Sequence, residues 1–398
     1  MTADNRGALT RLAAVYFCIY GALGALHPYF SLLFAARGMT PLEMAAVFLC
    51  VPLASLVAPP IWGAVADWSG ARARLLSLAT FGTAAAVALL MPQWGVAGAV
   101  FGMAVFALMS RPLGPLADAA VHSFLGQAHA RFGRIRVWGS LGFTLVVLAS
   151  GYLSGADAKL WRLGVGGLLF LVASGLAWGI VAGPGVAAGA SVVQQARRAL
   201  ARPALTYYML GTVCYFGVQY THDSFFSYYV RGLGLSDSII GVAWAGGVCI
   251  EMLIMVGAPV LFRWASPATW LIGCGIIAAG RWAVLGVSAA AGLLVVLQGL
   301  HGVTFGLWYV ASVAWLQARA PENLRASFQA VMSAAMGIGA AVFVMAGGWI
   351  IGAYGMPHFY VLGATAAVLA ALFYGVALRS ELPQAAAGQS ARVAGEGP

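Results

Sequence analysis

Six ionisable side chains fall inside otherwise apolar stretches of this chain: Arg111, Asp118, Arg136, Asp223, Glu251 and Arg281. Three are basic and three acidic. A charge near the centre of a bilayer costs roughly 2.5 to 3.5 kcal/mol even on the lenient insertion scale, so six unpaired ones would cost on the order of 15 to 20 kcal/mol. They must pair or face water, and either arrangement requires a polar cavity inside the membrane, which is what a solute pathway is made of. The chemistry such groups support is ion pairing, hydrogen bonding to a solute, and proton exchange at a carboxylate whose basic partner comes and goes.

Composition sets the surroundings of those charges. The chain has 398 residues, 62% hydrophobic and 8% charged, with a mean hydropathy of +0.90, whereas about a quarter of a soluble domain is charged. An all-α integral membrane protein is expected. The net charge of +10 lies in short stretches between apolar segments, which is a topology signal, so no nucleic-acid partner is expected. Cys18, Cys50, Cys214, Cys249 and Cys274 sit within apolar segments without paired spacing or metal-ligand neighbours and read as small core residues. There is no phosphate-binding glycine loop, metal-ligand pair or nucleophile elbow, and His222-Asp223 alone is a weak catalytic signature. No enzyme activity, metal or cofactor is expected.

Segments of about 20 apolar residues can cross a hydrocarbon core about 30 Å thick. Twelve occur, near 10–36, 41–66, 74–92, 95–122, 134–154, 162–183, 204–230, 237–262, 268–288, 291–317, 323–347 and 355–378. The first carries His27 and Pro28 and lacks a small-residue cleavage site, which points to a retained span. With both termini on one side, fifteen arginines in or near the loops gather there, against Arg37, Lys159, Arg162 and Arg231 on the other. The termini are therefore expected to be cytoplasmic. The longest connection, 184–203, opens Gly-Pro-Gly and closes on Arg197, Arg198 and Arg202. It divides the chain into six-helix halves at 1–183 and 204–380, with 184–203 a cytoplasmic loop and 381–398 an expected disordered cytoplasmic tail. A repeat supports the division: at a constant offset of 196, Phe30-Ser31 matches Phe226-Ser227, Gly38-Met39-Thr40 matches Gly234-Leu235-Ser236, and His27 falls on Asp223.

Spans two and three are joined by Gly63-Ala-Val-Ala-Asp67-Trp-Ser-Gly70-Ala-Arg72-Ala-Arg74. This resembles the signature loop of the major facilitator superfamily, where Asp67 would act at a helix end beside Arg72 or Arg74 and the lock would form and break as the halves rock. Trp68 and Ala71 depart from the basic residues usual there. Pro112-Leu-Gly-Pro115-Leu-Ala-Asp118-Ala and Gly133-Arg134-Ile-Arg136-Val-Trp138-Gly139-Ser140 look like the subgroup holding the phenylpropionate permease, the lactose permease and the nucleoside-proton symporters. Gly280-Arg281-Trp282, Leu300-His301, and Arg325 with Gln329-Ala330-Val331 carry the same likeness. It covers nearly all of residues 10–378 and implies the major facilitator fold, with a site between two six-helix halves that alternate access.

By that resemblance Asp118 and Arg136, eighteen residues apart, match a carboxylate and an arginine that bind sugar in the lactose permease. Their similar depth in spans four and five would let them pair. Glu251 matches an acidic position used for binding and proton coupling, and Arg281 matches its arginine partner. His301 matches a histidine, but Thr304 stands where that protein has a glutamate essential to proton release. Read from helical spacing alone, Arg111, Asp118 and His122 share a face of span four, Trp244 lies one heptad before Glu251, and His301, Thr304, Phe305 and Trp308 form one stripe. Trp244 and Trp308 lie deep enough to stack on a solute ring. His222 and Asp223 cannot share a face, and Asp223 is the expected cavity group.

The expected substrate-binding set is thus Arg111, Asp118, Arg136, Asp223, Trp244, His301 and Trp308, with Glu251, Arg281 and Asp223 in proton coupling. Gly63, Asp67, Gly70, Arg72 and Arg74 form the expected conformational switch. The expected function is secondary active transport, as proton-coupled symport of an aromatic or other organic acid, a sugar or a nucleoside. A proton-driven efflux antiporter is the alternative. Expected partners are the solute, protons and the lipid bilayer, with the chain a monomer in a bacterial inner membrane.

Overall fold

In a hydrocarbon core each backbone N–H and C=O must be satisfied within its own segment, so long apolar runs become helices. A computed structural model describes residues 3–125, 132–153, 158–180, 203–288, 290–320 and 325–380. The expected central loop, apart from Pro203, and the expected tail lie outside the described residues. Span one is Ala3–Leu26, continued through a 3-10 turn at His27–Tyr29 and by Phe30–Ala35. Spans two to six are Pro41–Ser69, Arg72–Leu89, Gly95–Ser110 with Leu113–Leu125, Phe132–Tyr152 and Ala158–Trp178. Spans seven to nine are Pro203–Gly232, Asp237–Trp264 and Pro267–Val287. Span ten joins Ala291–Gly299, a π-helical turn at Gly302–Leu307 and Trp308–Gln317; eleven is Arg325–Tyr354 and twelve Met356–Arg379. Ten of these are long and apolar enough to cross a membrane by themselves. The third is a shorter apolar helix, and the seventh carries Gln219, Thr221 and His222, all buried in protein.

The two six-helix halves repeat each other down to their turns. Gly38 at φ 79° donates its N–H to Ala35 O (3.0 Å) while Met39 donates to Phe34 O (3.2 Å). At the offset of 196, Gly234 at φ 74° donates to Arg231 O (2.9 Å) and Leu235 to Val230 O (3.2 Å). Both are left-handed glycine stops with the same crossed hydrogen bonds. Each leads into a residue in extended conformation, Thr40 or Ser236, that starts the next helix, and Thr40 completes a capping box with Glu43.

The halves meet where span two lies on span eleven and span five on span eight. At the end opposite the start of span one, here the far end, Gly151 and Gly241 bring two backbones together. A Cβ on Gly151 would lie 2.9 Å from Gly241 Cα, and one on Gly348 would lie 2.8 Å from Pro41 O. Beside them the carboxylate of Asp237 accepts from Arg162 (2.7 Å) and from Arg231. Arg162 also donates to Ser150 O (2.9 Å), and its guanidinium lies 4.0 Å from the centre of the Tyr29 ring. Beyond Leu56 in span two and Cys249 in span eight, by contrast, Ala58, Ala66 and Ala258 are the only buried residues among those described. The protein is closed at the far end and open at the near end, where a cavity of about 720 Å³ lies among Thr10, Phe17, Cys18, Arg134 and Trp138.

Removing one partner of a buried ion pair leaves an uncompensated charge, here on Arg162. Asp237→Ala is expected to lower stability by about 3 kcal/mol, seen as a lower thermal unfolding midpoint of the detergent-purified protein. An unchanged midpoint would show that this clasp holds nothing.

Candidate functional site

Span four is interrupted at Arg111-Pro112, where Pro112 and Pro115 have no N–H for the helix. Arg111 ends the first segment and Asp118 lies in the second. Across from them on span one, Tyr16 and Tyr20 are four residues apart on one face and their rings stack at 6.2 Å. The Tyr16 hydroxyl donates to the Asp118 carboxylate. Arg136 donates to the Tyr20 hydroxyl at 2.8 Å and places its guanidinium 4.2 Å from the Tyr20 ring centre and 5.4 Å from that of Tyr16. The expected ion pair between Asp118 and Arg136 is therefore not formed. Each charge is satisfied by a phenol, and the two phenols separate them.

The second half is organised by Arg281, which is fully buried in span nine. It donates to Gln219 Oε1 (3.2 Å), Thr304 Oγ1 (3.0 Å) and Gln298 Oε1 (2.8 Å), and lies over the ring of Trp282 at 4.4 Å. With its oxygen facing Arg281, the Gln219 amide turns its nitrogen to Asp223 Oδ1 (2.9 Å) and His301 Nδ1 (3.0 Å). Both are acceptors, so His301 carries its proton on Nε2. His222 joins the same network: its Nδ1 lies 3.2 Å from Tyr360 OH, and its Nε2 lies 2.9 Å from Gln298 Oε1 and 3.2 Å from Arg281 Nη2. The π-helical turn of span ten loosens the backbone beside Thr304, and the Tyr215 hydroxyl donates to the freed Thr304 carbonyl.

Glu251 is not bonded to Arg281, which corrects the pairing expected for the second half. Arg281 reaches a carboxylate only through the amide of Gln219, and that carboxylate is Asp223. Glu251 sits where span eight presses on span ten. A Cβ on Gly302 would lie 2.6 Å from Glu251 N, and one on Gly306 would lie 3.0 Å from its Cγ, so this approach needs glycine. The cation whose field reaches Glu251 is Arg136 of the other half. Arg111 lies in range of Tyr20, Tyr220 and His27. Among the described residues neither Glu251 nor Arg111 has a hydrogen bond or ion pair, and Arg111 Nε is buried. Arg111, Asp118, Arg136, Asp223 and Glu251 are each only half-buried, and Glu251 lies within the field of Arg136 from the first half and of Asp223 from its own.

Trp244 borders the same gap, edge-on to His27 at 6.1 Å and near Phe143 and His301 at 6.1 and 6.0 Å. Trp308 does not line it. Fully buried, it stacks on Tyr215 at 5.1 Å and donates Nε1–H to Tyr374 OH at 2.9 Å, packing spans seven, ten and twelve together. His222 is inaccessible and turned to spans nine, ten and twelve, whereas Asp223 looks to the gap. Cys249 is exposed rather than a core residue. In the loop between spans two and three, Gly70 takes φ 64° and donates to Ala66 O (3.0 Å), Gly63 is in open space and Arg74 is exposed. The side chains of Asp67 and Arg72 lie outside the described residues. Charge counting missed Tyr16, Tyr20, Gln219 and Gln298, which are neutral, and it assigned Arg162 to a loop.

Residues 9–362 match the MFS_1 like family. The chain is 30% identical to the probable 3-phenylpropionic acid transporter of Escherichia coli K12, covering 89% of this chain and 94% of the relative. It is 26% identical to a maltose permease of Geobacillus stearothermophilus, covering 84% and 86%. Among solved structures it superposes on the nucleoside transporter NupG with a TM-score of 0.80 at 16% identity, covering 95% and 99%. On a bacterial homologue of the lysosomal transporter Spinster the TM-score is 0.73 at 17% identity, covering 96% and 98%.

Lysine replaces the planar guanidinium with a single point donor, which cannot serve Gln219, Gln298 and Thr304 together. Arg281→Lys is expected to destabilise the protein by about 2 kcal/mol or more, measured by thermal unfolding. Wild-type stability in this variant would contradict the organising role given to Arg281.

Proposed function

Because the chain belongs to the MFS_1 like family of transporters, we propose that it is a proton-coupled symporter working by alternating access on a small organic solute. The observation that carries this reading is Glu251, a carboxylate without a hydrogen-bond partner and held in the field of Arg136 from the opposite half. A solute that engages Arg136 diverts a cation whose field reaches Glu251. A carboxylate deprived of its compensating cation binds a proton more readily. Solute and proton then favour each other's binding, and the coupling is reciprocal. Coupling of that sign moves both in one direction, whereas an antiporter needs them to exclude one another.

In this reading the state described above faces inward. The termini are cytoplasmic in a bacterial inner membrane, as the basic loops imply, and the chain acts as a monomer. The far-end clasp of Arg162, Arg231 and Asp237 opens in the outward state, while Gly63, Asp67, Gly70, Arg72 and Arg74 form the switch at the cytoplasmic side. The permeases for maltose and 3-phenylpropionic acid among the relatives frame the solute as a sugar or an organic acid.

Glu251→Gln is expected to abolish uphill accumulation in proteoliposomes under an imposed proton gradient while leaving some solute exchange. Unchanged accumulation would remove Glu251 from the proton path. Adding solute outside wild-type vesicles should make the external medium more alkaline; acidification would establish antiport instead.

A further inference from the structure

Each buried guanidinium in this membrane domain except one has acceptors supplied by the chain. Arg281 has three side-chain oxygens for its terminal nitrogens, though its Nε has no partner among the described residues; Arg162 has Asp237 and backbone carbonyls, and Arg136 has the Tyr20 hydroxyl. Arg111 has none among the described residues, and its Nε is buried without a partner. The phenols near it are committed elsewhere: Tyr220 donates to Phe48 O at 2.8 Å, and Tyr20 accepts from Arg136. A second buried donor is also without an acceptor, the indole Nε1 of Trp244. Both groups look onto His27, Arg111 through its field and Trp244 through an edge-on ring contact at 6.1 Å.

We propose that the solute is a monocarboxylate and that Arg111 grips its carboxylate, with Trp244 Nε1 as a further donor. The proposal rests on the gap between the halves being the solute site. Arginine's planar fork fits a carboxylate bidentately and leaves no residual charge, whereas a sugar hydroxyl would leave the guanidinium uncompensated. A dianion is disfavoured because Asp118, Asp223 and Glu251 all face the same gap. The ring contacts of Trp244 with His27, Phe143 and His301, at 6.0 to 6.1 Å, draw on both halves and hold the indole in place. Arg111 and Arg136 also both act on Tyr20. A carboxylate at Arg111 therefore lies one residue from the cation that governs Glu251.

The test is equilibrium binding by calorimetry to purified protein at fixed pH without any gradient, using benzoate, phenylacetate and cinnamate, each beside its neutral amide, with maltose and uridine as sugar and nucleoside probes. At least one carboxylate is expected to bind and its amide to bind at least about tenfold more weakly. Arg111→Gln should weaken that carboxylate by a similar factor, Arg111→Lys by less, and Trp244→Phe by several-fold with no change in the preference over the amide. The amides binding as well as the acids, no acid binding, or an Arg111→Gln protein that binds the acid like wild type would overturn the proposal. Should Arg111→Gln not fold, the acid-to-amide ratio on the unmodified protein decides. Carboxylate binding without proton-linked flux would defeat the symport reading and leave this one standing; proton-linked flux of maltose or uridine without carboxylate binding would do the reverse.

Discussion

A guanidinium that cannot reach water must find acceptors inside the protein, and the second half of this protein is arranged around that demand at Arg281, whose two terminal nitrogens are served while its Nε has no partner among the described residues. The demand fixes the orientation of two glutamine amides, the tautomer of His301 and the placement of Thr304 beside a loosened turn. It also explains why spans seven, nine, ten and twelve converge at one depth, since each contributes a polar atom that would be costly to bury alone. Asp223, at the end of this relay, keeps one face toward the gap because Gln219 occupies only Oδ1.

The first half meets the same physical problem with lighter means. Two stacked phenols lie between Asp118 and Arg136, so neither charge is locked to the other. A direct ion pair in a medium of low dielectric would be hard to separate, whereas hydrogen bonds to a hydroxyl can be exchanged for a solute oxygen. Arg136 consequently keeps reach toward Glu251, which the glycines of span ten hold against the backbone. A rigid network on one side and an exchangeable one on the other give the interface a fixed wall and a responsive wall.

The number of spans, the two halves and the six charges were legible because hydropathy and charge are one-dimensional properties of a chain. The turns at Gly38 and Gly234 were legible too, since a left-handed stop writes itself as a glycine at a set place. The pairings were not. Which group meets Asp118 or Arg281 depends on the rotation of each helix about its axis and on neutral residues such as Tyr16 and Gln219, which carry no charge signal. Trp308 was deep as expected, but depth does not separate a wall of the gap from a wedge between helices. Arg162 has the spacing of a loop charge and becomes structural only through a fold that brings span six beside the start of span eight.

The surroundings of Arg162 also bear on how quickly the far end can open. Among the described residues, the hydrogen-bond and ring partners of its guanidinium other than Asp237 come from its own half: the carbonyls of Ser150 and Leu153, at 2.9 and 3.4 Å, and the ring of Tyr29. If the halves part here as proposed, Arg162 loses its counter-charge but keeps these neutral partners, while Asp237 retains the exposed Arg231 of its own half. Separation thus trades one bond within a set of several on each side. In the proposed cycle, partners retained by each half would limit the charge that opening leaves uncompensated.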